Sequence, residues 1–380
     1  MGFVIKVLHL CADYPHTNLY KELVENLDII DIEQIVYIPV KRREDLNKKI
    51  IGNFKNTSLV YSKSFNNTDR LFYAHKVNKI LYDIKDKINF KNVDLVHAHF
   101  LFSMGGIALK LKRGKNIDYI VAVRNTDVNL FFKYMFHTRK VGINIMKEAK
   151  KVIFISPAYK EFVINRYVPH KLRGCIEQKS VIVPNGVNPF WLQNKYTKFE
   201  YKDKKRVNLI YVGDFSKNKN IDTSINVAKE LKELGYNVNF TIIGDGGNNE
   251  YNIKKLAKIN KDIVEICDRI DDREKLLNMY RKPDIFIMPS FHETFGLVYL
   301  EAMSQGLPII YTKGQGIDGY FKDGTVGYSV NPNDISDIVK KIEIIIHNYN
   351  EISKNCYNLV NNFSWDKIAK IYHDTYISIF

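Results

Sequence analysis

The 380-residue sequence predicts an α/β protein made of two doubly wound domains. Short apolar runs of strand length alternate with amphipathic helical stretches along the chain, which is typical of parallel sheets covered by helices on both faces. A polar stretch at 193–205 separates two such series, and the length is sufficient for two full cores. Since ligands of these folds bind at the carboxyl ends of the strands, we expect the two domains to face a central cleft.

Each strand is predicted from an apolar run, and each helix from apolar residues at helical spacing. The expected strands of the first series are 5–10, 35–39, 95–97, 119–123, 152–155 and 181–183, and those of the second are 209–212, 239–243, 264–266, 285–288 and 309–311. Expected helices include 20–27, 73–84, 221–234 and 275–280. The elements predict a first domain over 1–190 and a second over 191–362, followed by an amphipathic helix at 363–380.

The composition is that of a globular protein in a reducing compartment. Hydrophobic residues make up 45% of the chain and charged residues 26%, which is ordinary. Four scattered cysteines without C-x-x-C spacing argue against a disulfide framework or a zinc site. The apolar start is interrupted by Lys6 and His9 and lacks a signal-peptide pattern, and no apolar run is long enough to span a bilayer. We therefore expect a cytoplasmic protein.

The net charge of +15 is concentrated in the first half. Residues 1–190 contain 31 Lys and Arg against 17 Asp and Glu, a net of +14, and the stretch at 41–49 is especially basic. Such asymmetry concerns partners rather than fold. The candidates are anionic lipid headgroups, a phosphate-bearing acceptor or nucleic acid, and the alternative is an ordinary solvated surface. The chain has no recognisable nucleic-acid module, so we expect no nucleic-acid partner.

The most informative segment is DIFIMPSFHETFGLVYLEAMSQGLPII at 284–310. A buried strand is followed by a loop with Glu293, and Thr294 is the expected N-cap of a helix beginning near Gly296. Glu301 follows Glu293 by eight residues. A helix start binds diphosphate well, and two carboxylates beside it would contact hydroxyl groups on either side of that diphosphate. This arrangement describes a nucleotide sugar.

The segment resembles the E-x7-E block of retaining glycosyltransferases of family 4, which have the GT-B fold of two Rossmann-like domains. The resemblance implies that Glu293 lies near the donor sugar and that Glu301 holds the nucleotide ribose. It also implies that backbone amides at Phe295, Gly296 and Leu297 bind the diphosphate. In that family the last helix often crosses back to the first domain, which we expect here for 363–380.

Two further segments of the second half are similar to that family's donor-binding loops. LIYVGDFSKNKNIDTS has Gly213 and, at the position of the family's phosphate-binding lysine, Lys219. Asp214 stands where the family has arginine, so either Lys217 or a residue elsewhere replaces it, or the affinity for the donor is reduced. FTIIGDGG supplies Gly244, and EICDRI supplies Arg269 and Ile270, which the resemblance implies lie near the base.

The first half carries the expected acceptor-side residues. DLVHAHF places His97 and His99 in an H-x-H pattern, which would suit a metal pair, but no third ligand is spaced to help and we expect no metal site. The resemblance implies that His99 lies near the acceptor, together with Arg124 and Asp127 of VAVRNTDVN and Ser156 of FISPAYKE. Arg124 would bind a phosphate, or instead form a salt bridge with Asp127.

The resulting hypothesis is a retaining, metal-independent glycosyltransferase without a cofactor. The resemblance makes Glu293, Lys219, His99 and Arg124 the catalytic residues, with a UDP- or GDP-linked sugar favoured over an ADP-linked one. No Asp-x-Asp pattern occurs for a metal-bound diphosphate. The acceptor would be a saccharide or lipid-linked sugar of surface-polysaccharide synthesis, at an anionic membrane surface. The alternatives are an epimerase or phosphorylase of the same fold, or a non-catalytic nucleotide-sugar-binding partner.

Overall fold

A computed structural model describes residues 4–30, 32–49, 54–66, 68–197, 201 and 203–380. The chain divides into two compact units. Unit 1 takes the chain up to Ile155 together with Lys160–Gly186 and Trp365–Phe380, and unit 2 takes Ser156–Tyr159 and Val187–Ser364. Among the described residues, no helix combines the length and the apolar character needed to cross a bilayer.

Unit 1 is built on a seven-stranded sheet in the order β3-β2-β1-β4-β5-β6-β7, and every neighbouring pair is parallel. The strands are β1 (Lys6–Leu10), β2 (Glu33–Val40), β3 (Thr57–Lys63), β4 (Leu95–Ala98), β5 (Asp118–Val123), β6 (Lys151–Phe154) and β7 (Ser180–Ile182). The helices are α1 (Asn18–Ile29), α2 (Tyr73–Lys87), α3 (Gly105–Lys115), α4 (Arg139–Glu148), α5 (Pro157–Tyr167), α6 (His170–Gln178) and, from the end of the chain, α14 (Trp365–Ile377). The first residues of α5, up to Tyr159, are assigned to unit 2.

Unit 2 is built on a six-stranded parallel sheet in the order β10-β9-β8-β11-β12-β13. Its strands are β8 (Arg206–Val212), β9 (Asn237–Ile243), β10 (Val264–Cys267), β11 (Ile285–Met288), β12 (Ile309–Thr312) and β13 (Gly327–Val330). Its helices are α7 (Pro189–Gln193), α8 (Ile221–Glu233), α9 (Glu250–Ile259), α10 (Arg273–Tyr280), α11 (Leu297–Ser304), α12 (Ile335–His347) and α13 (Tyr349–Leu359).

All the predicted strands are present, but the sequence analysis missed β3 and β13. Both are edge strands, so each pairs with one neighbour only. The sequence of β3, TSLVYSK, is largely half-exposed, and that of β13, GYSV, is short and begins with glycine. Neither strand contains the continuous apolar run by which the central strands were recognised.

The last helix is part of the core of unit 1. Trp365, Ile368, Tyr372 and Tyr376 of α14 are buried in one cluster with residues of α1 and of the central strands. Gly186 lies against the Trp365 ring, where a Cβ atom would approach within 2.4 Å. The Trp365 ring therefore leaves no room for a side chain at position 186.

Each sheet reverses its strand order once, and this is where parallel α/β sheets bind ligands. In unit 1 the reversal lies between β1 and β4, and in unit 2 it lies between β8 and β11. The loop after β8 carries Lys219, and the loop after β11 carries Glu293. The ends of β1 and β4 carry His9 and His97. Chemistry-bearing side chains therefore occur at both reversals.

Candidate active site

The loop after β11, which carries Glu293, is held by two other loops of unit 2. Asn218 donates through its side chain to the His292 carbonyl at 2.8 Å and accepts the His292 N–H at 3.0 Å. From the loop after β12, the Gly316 N–H donates to the Glu293 carbonyl at 2.8 Å, and the Gln315 side chain accepts the Glu293 N–H at 3.2 Å. Glu293 therefore sits on a backbone that is fixed from both sides.

Lys219 and Glu293 form an ion pair, with 2.8 Å between Nζ and Oε2. Both side chains are mostly buried, at 19% and 14% exposed. The other carboxylate oxygen accepts the N–H of Thr294 at 3.0 Å. Asn220 fixes the turn that presents Lys219, because its side chain donates to the carbonyls of Pro289 and Pro332. The sequence analysis predicted a separate ligand group for each of these two charged residues, and the structure brings them into direct contact.

Helix α11 begins at Leu297, and its N-cap is Gly296 rather than the predicted Thr294. Gly296 has a φ of +81°, and a Cβ atom there would lie 2.5 Å from the Tyr299 ring. Neither the left-handed backbone nor the contact tolerates a side chain. The cap residue therefore has no side chain to cover the first N–H groups of the helix, and Phe295, Gly296 and Leu297 lie two to four residues after Glu293.

Glu301 lies on α11, mostly buried, and accepts a hydrogen bond from the Tyr280 hydroxyl at 3.2 Å. Burial raises the pKa of this carboxyl to about 7, and the Tyr280 hydroxyl opposes that rise. A carboxylate that is costly to ionise gains from new hydroxyl donors, because they stabilise its charged form. Glu301 can therefore receive hydroxyl groups of a ligand.

The remaining predicted donor residues line one cavity of 220 Å³ at the carboxyl ends of β8, β9 and β10. Gly213, Gly244, Arg269 and Ile270 all contribute to its wall. Asp214, at the position where the family resemblance would place arginine, accepts the Ser216 N–H at 3.0 Å and so organises the loop instead of offering a positive charge.

The predicted acceptor-side residues Arg124 and Asp127 form hydrogen bonds mainly with other residues of unit 1. The Asp127 carboxylate accepts the backbone N–H groups of Leu101, Phe102 and Arg124 at 2.9–3.0 Å. The Arg124 guanidinium lies 3.4 Å from the Tyr372 hydroxyl and from the Asn185 side chain. Asp127 thus joins the loops after β4 and β5 through backbone contacts. Burial raises its pKa to about 6, and the three N–H donors favour its charged form.

His99 and Ser156 are both buried. The Ser156 hydroxyl accepts the Tyr159 N–H at 3.2 Å at the start of α5. The His99 Nε2 atom lies 3.0 Å from Nδ1 of His9. The expectation that no third ligand accompanies His97 and His99 is wrong, because His9 brings a nitrogen to within 4.8 Å of both. Sequence spacing could not reveal this residue, since it lies on a different strand.

Asn218, Gln315 and Gly316 support Glu293 and were missed by the sequence analysis. The signal available for Gln315 and Gly316 was the G-Q-G sequence after β12, where Gly314 and Gly316 both have positive φ. A Cβ atom at Gly316 would lie 3.0 Å from Cγ of Glu293. Glycine at this position is therefore required for the loop to approach the carboxylate.

A second cavity, of 340 Å³, lies in unit 1 at the carboxyl ends of β1, β2, β4 and β5. Its wall is mainly apolar, with Phe65, Phe100 and Phe131 among the lining residues, and Lys41 and Lys76 also line it. Leu130 of its wall is exposed. Three exposed aromatic side chains, which we call the aromatic rim, are next in sequence to the lining residues Tyr73 and Met135: Phe72, Tyr134 and Phe136.

Comparison with known proteins decides what the site of unit 2 is. Residues 193–362 match the family model described as glycosyl transferases group 1. This range contains all of the donor-side residues described above. Unit 2 is a group 1 glycosyltransferase domain. The prediction of a glycosyltransferase is thereby confirmed, and the epimerase, phosphorylase and non-catalytic alternatives are not favoured.

Relatives of this glycosyltransferase extend over both units. An uncharacterized glycosyltransferase of Methanocaldococcus jannaschii is 25% identical over 98% of this chain and 99% of its own. The Escherichia coli UDP-Gal:alpha-D-GlcNAc-diphosphoundecaprenol alpha-1,3-galactosyltransferase is 26% identical over 79% of this chain and 80% of its own. The sucrose-phosphate synthase structure from Thermosynechococcus elongatus has a TM-score of 0.74 and 18% identity, covering 99% of both chains. The structural likeness confirms the GT-B fold, with two parallel-sheet α/β units.

Proposed function

We propose that this glycosyltransferase moves a hexosyl group from a UDP- or GDP-linked donor to an acceptor hydroxyl, with retention of the anomeric configuration and without a divalent metal or other cofactor. The observation that carries the proposal is the Lys219–Glu293 ion pair beside the start of α11. It combines a cation for the leaving diphosphate, a carboxylate for the sugar and open backbone N–H groups in one place.

Each donor-side residue has a separate part in this reaction. The N–H groups after Gly296 and the ammonium of Lys219 stabilise the negative charge that develops on the departing diphosphate. Glu301 accepts the ribose hydroxyls, Glu293 holds the sugar, and the cavity bounded by Arg269 and Ile270 receives the base. The acceptor oxygen attacks the anomeric carbon from the face that the diphosphate leaves, and a leaving phosphate oxygen takes the acceptor proton.

The acceptor we propose is a lipid-linked saccharide bound by unit 1 at an anionic membrane surface. The cavity is mainly apolar and suits an apolar chain, and its wall carries Lys41 and Lys76 together with Asp13 and Asp127. Phe72, Tyr134 and Phe136 are 62–68% exposed, and Lys133 and Arg139 lie over the rings of the last two. The name of the Escherichia coli relative describes an acceptor of this class. His99, Arg124, Asp127 and Ser156 remain proposed acceptor-side residues.

The test is a donor screen followed by product analysis. The protein is heated with UDP-, GDP- and ADP-linked hexoses, and a bound donor raises the melting temperature by mass action. The stabilising donor is then incubated with synthetic lipid-linked sugars in EDTA, and the anomeric configuration of the product is read by NMR. An inverted product, or a reaction that starts only after Mg²⁺ or Mn²⁺ is added, would overturn the proposal.

A further inference from the structure

Three histidines of unit 1 meet on one face of its sheet, at the reversal of strand order. His9 and His97 are directly paired neighbours on the parallel strands β1 and β4. His99 follows His97 by two residues, and its N–H donates to the Leu10 carbonyl at 3.1 Å, so the strand register continues to it. Since side chains two residues apart share a face, the parallel register alone brings the three rings together.

The hydrogen bonds of the three rings leave nitrogen atoms unused. All three side chains are at most 1% exposed. His97 Nδ1 lies 2.8 Å from the Tyr376 hydroxyl on α14, and His9 Nδ1 lies 3.0 Å from His99 Nε2. Among the described residues, the second nitrogen of each ring has no hydrogen-bond partner. Buried polar atoms without partners are rare and call for an explanation.

We propose that His9, His97 and His99 bind one transition-metal ion of the class that imidazole favours, such as Zn²⁺ or Co²⁺. Each ring offers one nitrogen, and the three nitrogens lie within 4.8 Å of one another. The Tyr376 hydroxyl acts as a positioning group, because a hydrogen bond at Nδ1 orients the His97 ring. This site is in unit 1 and is separate from the donor site. It shares His99 with the proposed acceptor side, but the ion takes no part in the proposed reaction.

The rings have to move when this ion binds, because nitrogens on a tetrahedral ion lie about 3.4 Å apart and the three nitrogens here spread over up to 4.8 Å. Three imidazoles on a tetrahedral ion, with metal–nitrogen distances of about 2.0–2.1 Å, place their ring centroids about 5 Å apart. The His9 centroid is 5.3 Å from those of both His97 and His99. The His97 and His99 centroids are 3.9 Å apart, so these two rings separate by about 1 Å when the ion binds.

The charges around the trio predict a further property of the site. The positive charge of Arg124 acts on both His97 and His99, and three neutral imidazoles do not compensate a dication. Arg124 therefore opposes binding of the ion, and replacing it with glutamine should strengthen the affinity for Co²⁺. Adventitious binding at surface histidines would not respond in this way.

The experiment uses Co²⁺, because its visible absorption reports the ligands directly. The full chain is refolded from urea in Co²⁺, since the three rings are buried, and is then desalted and analysed for bound cobalt. One equivalent with a tetrahedral spectrum is expected. His9→Phe, His97→Phe and His99→Phe should each lose it, whereas His170→Gln, at an exposed histidine of unit 1, should keep it. Tyr376→Phe should weaken binding about 10–100-fold.

Circular dichroism shows which variants are folded, so a lost site can be distinguished from a lost fold. If the ring variants do not fold, the wild-type stoichiometry, Tyr376→Phe and Arg124→Gln still decide the question. A wild-type chain that retains no cobalt after refolding overturns the proposal. Cobalt that is retained by all three ring variants, or affinity unchanged in both Tyr376→Phe and Arg124→Gln, overturns it as well.

Discussion

The ammonium of Lys219 contacts the carboxylate of Glu293 at 2.8 Å, although the two residues are 74 positions apart. The two residues follow β8 and β11, which are neighbours in the sheet of unit 2. A diphosphate that binds Lys219 must compete with this carboxylate. The pair therefore couples the residue proposed for the diphosphate to the residue proposed for the sugar.

The two members of the pair should have different kinetic effects. Lys219→Ala should weaken binding of free nucleoside diphosphate by about 1.5–3 kcal/mol, since it removes a charged donor and leaves Glu293 unpaired. Glu293→Gln should leave this binding unchanged or stronger, because Lys219 loses its competing partner, while turnover falls. Calorimetry and initial rates measure the two effects, and Lys229→Ala, at an exposed lysine of α8, is the control. Identical behaviour of both variants would show that the roles are wrongly assigned.

Donor affinity should depend on pH through Glu301. Its pKa is about 7 in the free protein, and ribose hydroxyls bind the charged carboxylate, so donor binding favours loss of the proton. Affinity should fall about 10-fold between pH 8 and pH 6. The ligand should be a nucleotide sugar, because its diphosphate, substituted at both ends, has no proton to lose near neutral pH. A slope that persists in Glu301→Gln would assign the titration to another group.

The same raised pKa has a consequence for stability. Suppose that a carboxyl has a higher pKa in the folded than in the unfolded chain. It then lowers the free energy of unfolding once the pH exceeds its pKa in the unfolded chain, and this loss grows until the pH passes its pKa in the folded chain. Here that range runs from the ordinary value of 4.5 to about 7. Glu301→Gln should therefore have a higher melting temperature than wild type at pH 8. At pH 5 the difference between variant and wild type should be much smaller.

Gly316 should be intolerant of a side chain because of its contact with Glu293. Gly316→Ala places a Cβ atom 3.0 Å from Glu293 Cγ at a φ of +55°. Turnover should fall, with a loss of stability of about 1 kcal/mol or more from the backbone conformation. Gly314→Ala is the matched control, because Gly314 also has positive φ and no described heavy atom lies within 4 Å of its added Cβ. Equal losses of turnover in both would mean that strain, not the contact, is responsible.

Membrane attachment should require both the aromatic rim and basic charge. The double variant Phe72→Ser with Phe136→Ser should reduce co-sedimentation with phosphatidylglycerol vesicles, whereas Tyr251→Ser, at an exposed aromatic of unit 2, should not. Each basic residue near an anionic surface contributes about 1 kcal/mol, which salt screens. Wild-type binding should therefore weaken at high salt and on neutral vesicles. Binding that ignores both salt and lipid charge would rule out electrostatic docking.

The sequence alone predicted the architecture and supplied the residues proposed for the donor site. The apolar central strands are buried on both faces, and this leaves a continuous hydrophobic signal. The E-x7-E block is contiguous in the chain, so Glu293, Gly296 and Glu301 could be proposed as donor-site residues without a structure. The edge strands β3 and β13 lack that signal, so the sequence does not predict them. Capping preference is a local rule that predicts Thr294 as the N-cap, and the left-handed backbone of Gly296 overrides it.

Only the tertiary structure decided which distant residues meet. The parallel pairing of β1 with β4 places His9 beside His97, and the neighbouring positions of β8 and β11 place Lys219 against Glu293. It also showed that Asp127 binds backbone N–H groups, whereas the sequence had left a salt bridge with Arg124 open. The physical reason is that strand order and register arise from the packing of the whole sheet. Local sequence specifies that a strand forms, but not which strand lies next to it.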